Sequence, residues 1–207
     1  MLSPECPACG YSPEPAYDPA PFGDLWIRRM RDIIYKNASK SWWFTQPTYV
    51  CKWLSGIIKA PRTVLDVGCG YGRWLPAMMS TFPKTVYTGV DRIAEHISQY
   101  KEKMPEFNWV LGDVSLADGP FDLALIMGTL NPKMEYAKQD KLMRAVLAKN
   151  PKQILVSFDR NSTGILPDEW LGNKIATLEI PKDEQGPMQN VVVWLYHQHR
   201  QRRQSRQ

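Results

Sequence analysis

The chain has 207 residues, 43% of them hydrophobic, and a formal net charge of +5. That length suits one domain with a sizeable core, and no stretch approaches the roughly eighteen consecutive apolar residues of a membrane span. Four of the positive charges (Arg200, Arg202, Arg203, Arg206) lie in a tail that has no acid, which leaves +1 for the body. The tail reads either as a solvated, disordered end (200–207) or as a segment that holds nucleic acid by counterion release.

Residues 1–21 carry six prolines and no apolar period, which predicts an extended arm. They show no basic-then-apolar leader, so the expectation is a cytoplasmic protein. Cys6 and Cys9 form Cys-Pro-Ala-Cys-Gly, half of a zinc ribbon. A structural zinc needs four ligands. Cys51 and Cys69 stand in other contexts, so the expectation is free reduced thiols and no metal.

From Phe22 to about residue 60 the pattern is helical, with a break at Asn37 to Ser41. The second helix should start with Pro47 in its first turn and run through Trp53, Leu54 and Ile57. Trp42, Trp43, Gln46 and Tyr49 precede or begin it. They serve either as core residues that clamp the segment to the sheet or as a lid over a bound ligand.

The chemistry starts at Thr63-Val64-Leu65-Asp66-Val67-Gly68-Cys69-Gly70-Tyr71-Gly72-Arg73. A β-branched run, three glycines and then apolar residues at helical spacing predict strand, tight loop and helix. The third glycine comes one position too early for a dinucleotide fingerprint, and no Lys-Ser/Thr pair follows as in a phosphate loop. Asp66 at the strand end would repel a pyrophosphate and suit an ammonium. This stretch resembles motif I of the class I S-adenosylmethionine (SAM)-dependent methyltransferases, D/E-x-G-x-G-x-G. The resemblance implies SAM as cofactor, with Asp66, Gly68, Cys69, Gly70 and Gly72 around its methionine end and Gln46 reaching it from the N-terminal segment.

The later segments fall in the order that the resemblance requires. Strand two ends at Asp91, 21 positions after Gly70. An acid there would accept from both ribose hydroxyls, with Arg92 and Ile93 flanking the adenine. It also suits the cap of the next helix, Ile93 to Lys103. Strand three, Phe107 to Leu111, leads to Asp113 and Val114, which the family would use on the adenine amine and a ring nitrogen. Strand four, Phe121 to Met127, is an apolar run suited to burial on both faces. It leads into Gly128-Thr129-Leu130-Asn131-Pro132-Lys133. The resemblance puts Met127 against the cofactor and Thr129 and Asn131 against the methyl acceptor. The motif differs from the Asn/Asp-Pro-Pro-aromatic set of nucleic-acid amino-methyltransferases, which argues against base N-methylation. A helix from Met134 to Lys149 and strand five, Gln153 to Phe158, lead to Asp159. It is either a general base or a turn-forming aspartate. Lys174 to Ile180 and Val191 to His197 should close the sheet as an antiparallel hairpin.

These elements predict an α/β fold: a doubly wound, mostly parallel seven-stranded sheet with a C-terminal hairpin over residues 61–199, preceded by a helical extension. Three functions follow as expectations. The first is methyl transfer from SAM to a small molecule or small polar acceptor. The second is nucleic-acid methylation through the basic tail, and the third is SAM binding without transfer.

Overall fold

In the computed structural model, the described residues are 42–70, 72–130, 134–159, 173–180 and 191–197. The proline-rich arm, the first predicted helix, the Cys6–Cys9 pair, Asn131 and the basic tail lie outside them. So do the side chains of Trp42, Trp43 and Asp159.

The chain forms α1 (Trp42–Ser55), β1 (Thr63–Val67), α2 (Leu75–Thr81), β2 (Val86–Asp91), α3 (Ala94–Lys103), β3 (Asn108–Leu111), a 3-10 turn (Val114–Leu116), β4 (Leu123–Ile126), α4 (Tyr136–Ala148), β5 (Gln153–Asp159), β6 (Asn173–Glu179) and β7 (Val191–His197). The sheet order is β3-β2-β1-β4-β5-β7-β6. Strands β1 to β5 pair in parallel, and β7 runs antiparallel to both β5 and β6. Among the described residues no helix is long and apolar enough to cross a membrane.

The order reverses between β1 and β4, so the crossovers leave toward opposite edges and open a crevice at the carboxyl ends of the strands. Registers Val67↔Val90 and Asp91↔Leu111 bring the ends of β1, β2 and β3 to one rim. β1 is buried because it has a parallel neighbour on each side and helices on both faces.

Two cores flank the sheet. On one face, Val50 and Leu54 of α1 meet Leu75 and Met78 of α2, Tyr87, Tyr100 and Trp109. On the other, Leu65, Val67, Ala124 and Ile126 meet Met143 and Val146 of α4. Strand alternation divides β1 between them: Val64 belongs to the first core, while Leu65 and Val67 belong to the second.

α1 starts at Trp42, five residues before Pro47, so Pro47 lies inside the helix and not in its first turn. The proline removes one helical hydrogen bond, at a cost of about 3 kcal/mol. Burial of Gln46, Val50, Cys51 and Leu54 along one stripe opposes that cost. Strand four is shorter than its apolar run, because its pairing with β1 and β5 spans Leu123 to Ile126 only.

Candidate active site

The glycine loop after β1 is pinned to β2. Gly68 and Cys69 N–H both donate to the Val90 carbonyl, at 2.8 and 3.0 Å. Gly68 has φ +68° and Gly72 has φ +60°, a region that side chains disfavour. A Cβ on Gly68 would lie 2.6 Å from Thr129 Oγ1, and one on Gly72 would lie 2.8 Å from Tyr100 Oη. Protein packing therefore demands glycine at both places, before any ligand is considered.

Asp91 closes β2 at the centre of the rim. Gly70 N–H donates to its Oδ2 at 2.8 Å, and Ile93 N–H donates to its Oδ1 at 2.9 Å. Two backbone donors thus fix the carboxylate in place and leave lone pairs on each oxygen for a ligand. His96 stands behind it in the first turn of α3, buried, with Nδ1 3.6 Å from Asp91 Oδ1.

Asp91 faces a cleft of about 600 Å³. The cleft brings together Gly68, Asp91, Arg92, Ile93, Asp113, Val114, Met127 and Thr129, all residues marked out by the sequence. Asp113 Oδ1 accepts from Ser115 N–H at 3.1 Å, and Oδ2 accepts from Arg92 at 2.7 Å. The Ser115 N–H first, and then the Arg92 guanidinium, hold the Asp113 carboxyl below the usual carboxylate range. An adenine amine at Asp113 would therefore share a carboxylate already engaged by Arg92.

Other expected ligands do not line this cleft. Asp66 is 1% exposed and accepts a short hydrogen bond from the Tyr87 hydroxyl. The pleat turns it to the α1/α2 side of the sheet, beneath the loop and away from any ammonium in the cleft. Burial is the main cause that pushes its carboxyl up to about 7; the Tyr87 bond opposes the shift and Asp91 adds to it. The Cys69 side chain is buried against Gly89, and burial pushes its thiol up. Gly70 and Gly72 contribute by shaping the loop. Gln46 is 2% exposed, and its Oε1 accepts a short bond from Arg73.

Thr129 lines the cleft, but its hydroxyl donates to the Val67 carbonyl at 2.6 Å. Gly128 N–H donates to Ser157 Oγ at 2.8 Å. The end of β4 is thereby tied to β1 on one side and β5 on the other. Backbone register puts Asp159 at the end of β5, opposite Val191.

Several contributors had no clear sequence signal. Met134, Lys138, Lys141 and Leu142 of the α4 segment form one wall of the cleft. Their i, i+4, i+7, i+8 spacing was visible, but not the face to which they belong. Arg73 sits at the loop exit, its guanidinium 5.9 Å from the Trp74 ring, and burial pulls it down to about 9. Among the described residues no cluster of His, Cys, Asp or Glu could hold a metal ion. Cys51 and Cys69 are free thiols.

Comparison with known proteins agrees with this geometry. Residues 64–149 match a family described as "Methyltransferase domain". A 55-residue stretch is 33% identical to a trans-aconitate 2-methyltransferase of Rhodopseudomonas palustris (strain BisA53). It covers 27% of this chain and 22% of that protein, so the alignment spans about a fifth of the relative's length. The N-methyltransferase NodS of Bradyrhizobium japonicum WM9 superposes with a TM-score of 0.57 at 12% identity, over 72% of this chain and 93% of that one. A TehB-like SAM-dependent methyltransferase of Corynebacterium glutamicum gives 0.55 at 17% identity, over 84% and 96%. Residues 64–149 are thus similar to a methyltransferase domain, and the chain shares its fold with these two solved methyltransferases.

Proposed function

We propose that this protein transfers the methyl group of SAM to a small-molecule or small polar acceptor. The observation that carries this reading is Asp91, a carboxylate held by two backbone N–H groups over the cleft that also contains Gly68 and Asp113. This arrangement fits an adenosine. A vicinal diol needs two acceptor oxygens fixed in one plane, and a purine needs the apolar edge that Ile93, Val114 and Leu142 offer.

When bound, SAM supplies a sulfonium methyl that needs no further activation. The chain's part is to hold, orient and exclude water. Asp91 would take the ribose, Asp113 and Val114 the adenine edge, and Gly68 the passage toward the methionine end. Met127, Gly128 and Thr129 would form the wall that brings a nucleophile into line, about 3–3.5 Å from the methyl carbon. Asp159, at the β5 end of the same rim, is the proposed general base where the acceptor arrives protonated.

The cleft volume and the relatives support a small acceptor. One relative is named for trans-aconitate, and NodS is described as an N-methyltransferase. The free thiols Cys51 and Cys69 support a cytoplasmic setting. Calorimetric titration with SAM and S-adenosylhomocysteine tests the cofactor. Incubation with methyl-labelled SAM and fractionated cell extract tests the transfer. Label in the small-molecule fraction is the expected result. Label in RNA or DNA that disappears on removal of residues 200–207 would replace this reading with a nucleic-acid enzyme. Binding with no labelled fraction would leave a SAM-binding protein without transfer activity.

A further inference from the structure

The cleft holds more positive charge than its cofactor calls for. Arg92, Lys138 and Lys141 line it, against the acids Asp91 and Asp113. Both acids have partners. Asp91 accepts from the Gly70 and Ile93 N–H groups, and Asp113 accepts from Ser115 N–H and Arg92. Among the described residues Lys138 pairs with Glu135 at 3.1 Å, and Lys141 pairs with no acid. SAM brings a sulfonium, an ammonium and one carboxylate, so its net charge is positive and gives these lysines no reason to face it.

We infer that the methyl acceptor is an anion and that Lys141 and Lys138 bind its carboxylate or phosphate group. This rests on the SAM reading of the site and names the class of acceptor for it. The helix itself gains nothing from these lysines. Lys138 stands in the first turn of α4, where the helix dipole favours acids, and the last turn carries no cation. Lys138, Lys141 and Arg144 follow one another at i, i+3 spacing, where like charges repel. Arg144 is relieved by Asp140 at 2.9 Å, which leaves Lys141 uncompensated on its own helix.

The rotation of α4 is fixed. Gln139, 4% exposed, donates its side-chain N–H to the Met134 carbonyl at 2.7 Å, and Met143 and Val146 are buried in the core. The wall formed by Met134, Lys138, Lys141 and Leu142 is therefore held to the cleft. Each ammonium rides on a flexible four-carbon stem and can follow an anion placed beside Met127 and Thr129 in the same cleft. The positive field also steers an anion toward the sulfonium.

The test titrates the S-adenosylhomocysteine complex of the full chain with citrate and, separately, with inorganic phosphate. Citrate stands for a carboxylate acceptor and phosphate for a phosphorylated one. At least one should bind. Lys141→Gln should weaken it about tenfold, the scale of one charge-assisted hydrogen bond, and Lys141→Arg should keep most of the affinity. Lys138→Gln should have a smaller effect, because Glu135 already shares that charge. S-adenosylhomocysteine should bind every variant within about twofold of the original, which also shows that the variants fold. A complex that bound neither probe, or bound them equally well in the Lys138→Gln, Lys141→Gln double variant, would overturn the inference and leave the cofactor reading intact. A loss of S-adenosylhomocysteine affinity equal to the loss for the anion would overturn it too, since the lysines would then serve the cofactor. Label from methyl-labelled SAM that enters RNA or DNA, and is lost in the double variant, would assign the lysines to backbone phosphates instead. If the unaltered protein did not bind S-adenosylhomocysteine, the cofactor reading would fail first.

Discussion

Replacing Asp66 with Asn should change how stability depends on pH. Asp66 is fully buried beside Tyr87, and burial pushes its carboxyl from the ordinary 3.8 to about 7. Between those values the folded protein keeps a proton that the unfolded chain has lost. Stability therefore falls as pH rises through this window. At about 1.36 kcal/mol per pH unit, the full loss is about 4 kcal/mol, more than half of which falls between pH 5 and pH 8. Asn has nearly the same shape, offers Tyr87 an acceptor oxygen and does not titrate. Urea denaturation of both proteins at several pH values, followed by tryptophan fluorescence, isolates the effect. Other titrating groups act on both proteins and cancel in the difference. The Asn variant should gain on the original steadily from pH 5 to pH 8. If the two curves ran parallel, Asp66 would be ionised in the fold, and its place beneath the loop would have to be reconsidered as a charged one.

Asp91→Ala should weaken S-adenosylhomocysteine binding by about 1.5–3 kcal/mol, the scale of charge-assisted hydrogen bonds; an unaltered affinity by calorimetry would show that the ribose lies elsewhere. Thr129→Val keeps the shape but removes the O–H donor to Val67, and should cost about 1 kcal/mol of unfolding free energy, while Thr129→Ser should retain most of it. Gly68→Ala forces a side chain to φ +68° and to within 2.6 Å of Thr129 Oγ1. It should destabilise by about 1–3 kcal/mol, and unfolding curves that match the original would mean that the loop has another conformation open to it.

Much of the molecule could be read along the chain. Thr63 to Val67 is a strand, and so is Val191 to His197, because β-branched runs between turn residues have few alternatives. Asp91 could be found from its 21-residue distance to Gly70, and the two residues are in fact hydrogen-bonded. That distance is legible because one β-α-β unit of fixed length separates a strand end from its parallel neighbour's end. The closing hairpin and the doubly wound, mostly parallel sheet followed from the alternation of elements, whereas the strand order came from the structure.

Side-chain direction was not legible. Asp66 and Val67 are adjacent in the sequence, but the pleat sends Asp66 beneath the loop and leaves Val67 on the cleft. A one-residue difference in register would have exchanged them. Arg73 and Gln46 are 27 residues apart and meet only because α1 packs on α2. Lys138 and Lys141 enter the cleft wall through the rotation of α4, and Arg92 engages Asp113 across two loops. The sequence by itself determined the elements, their order and the rim proposed for the cofactor, since local propensity and chain connectivity are properties of the chain. Tertiary structure alone decided which carboxylate faces the cleft and which is buried, and what Thr129 and Arg73 hold, because those contacts depend on the pleat, the helix rotation and the packing of distant segments.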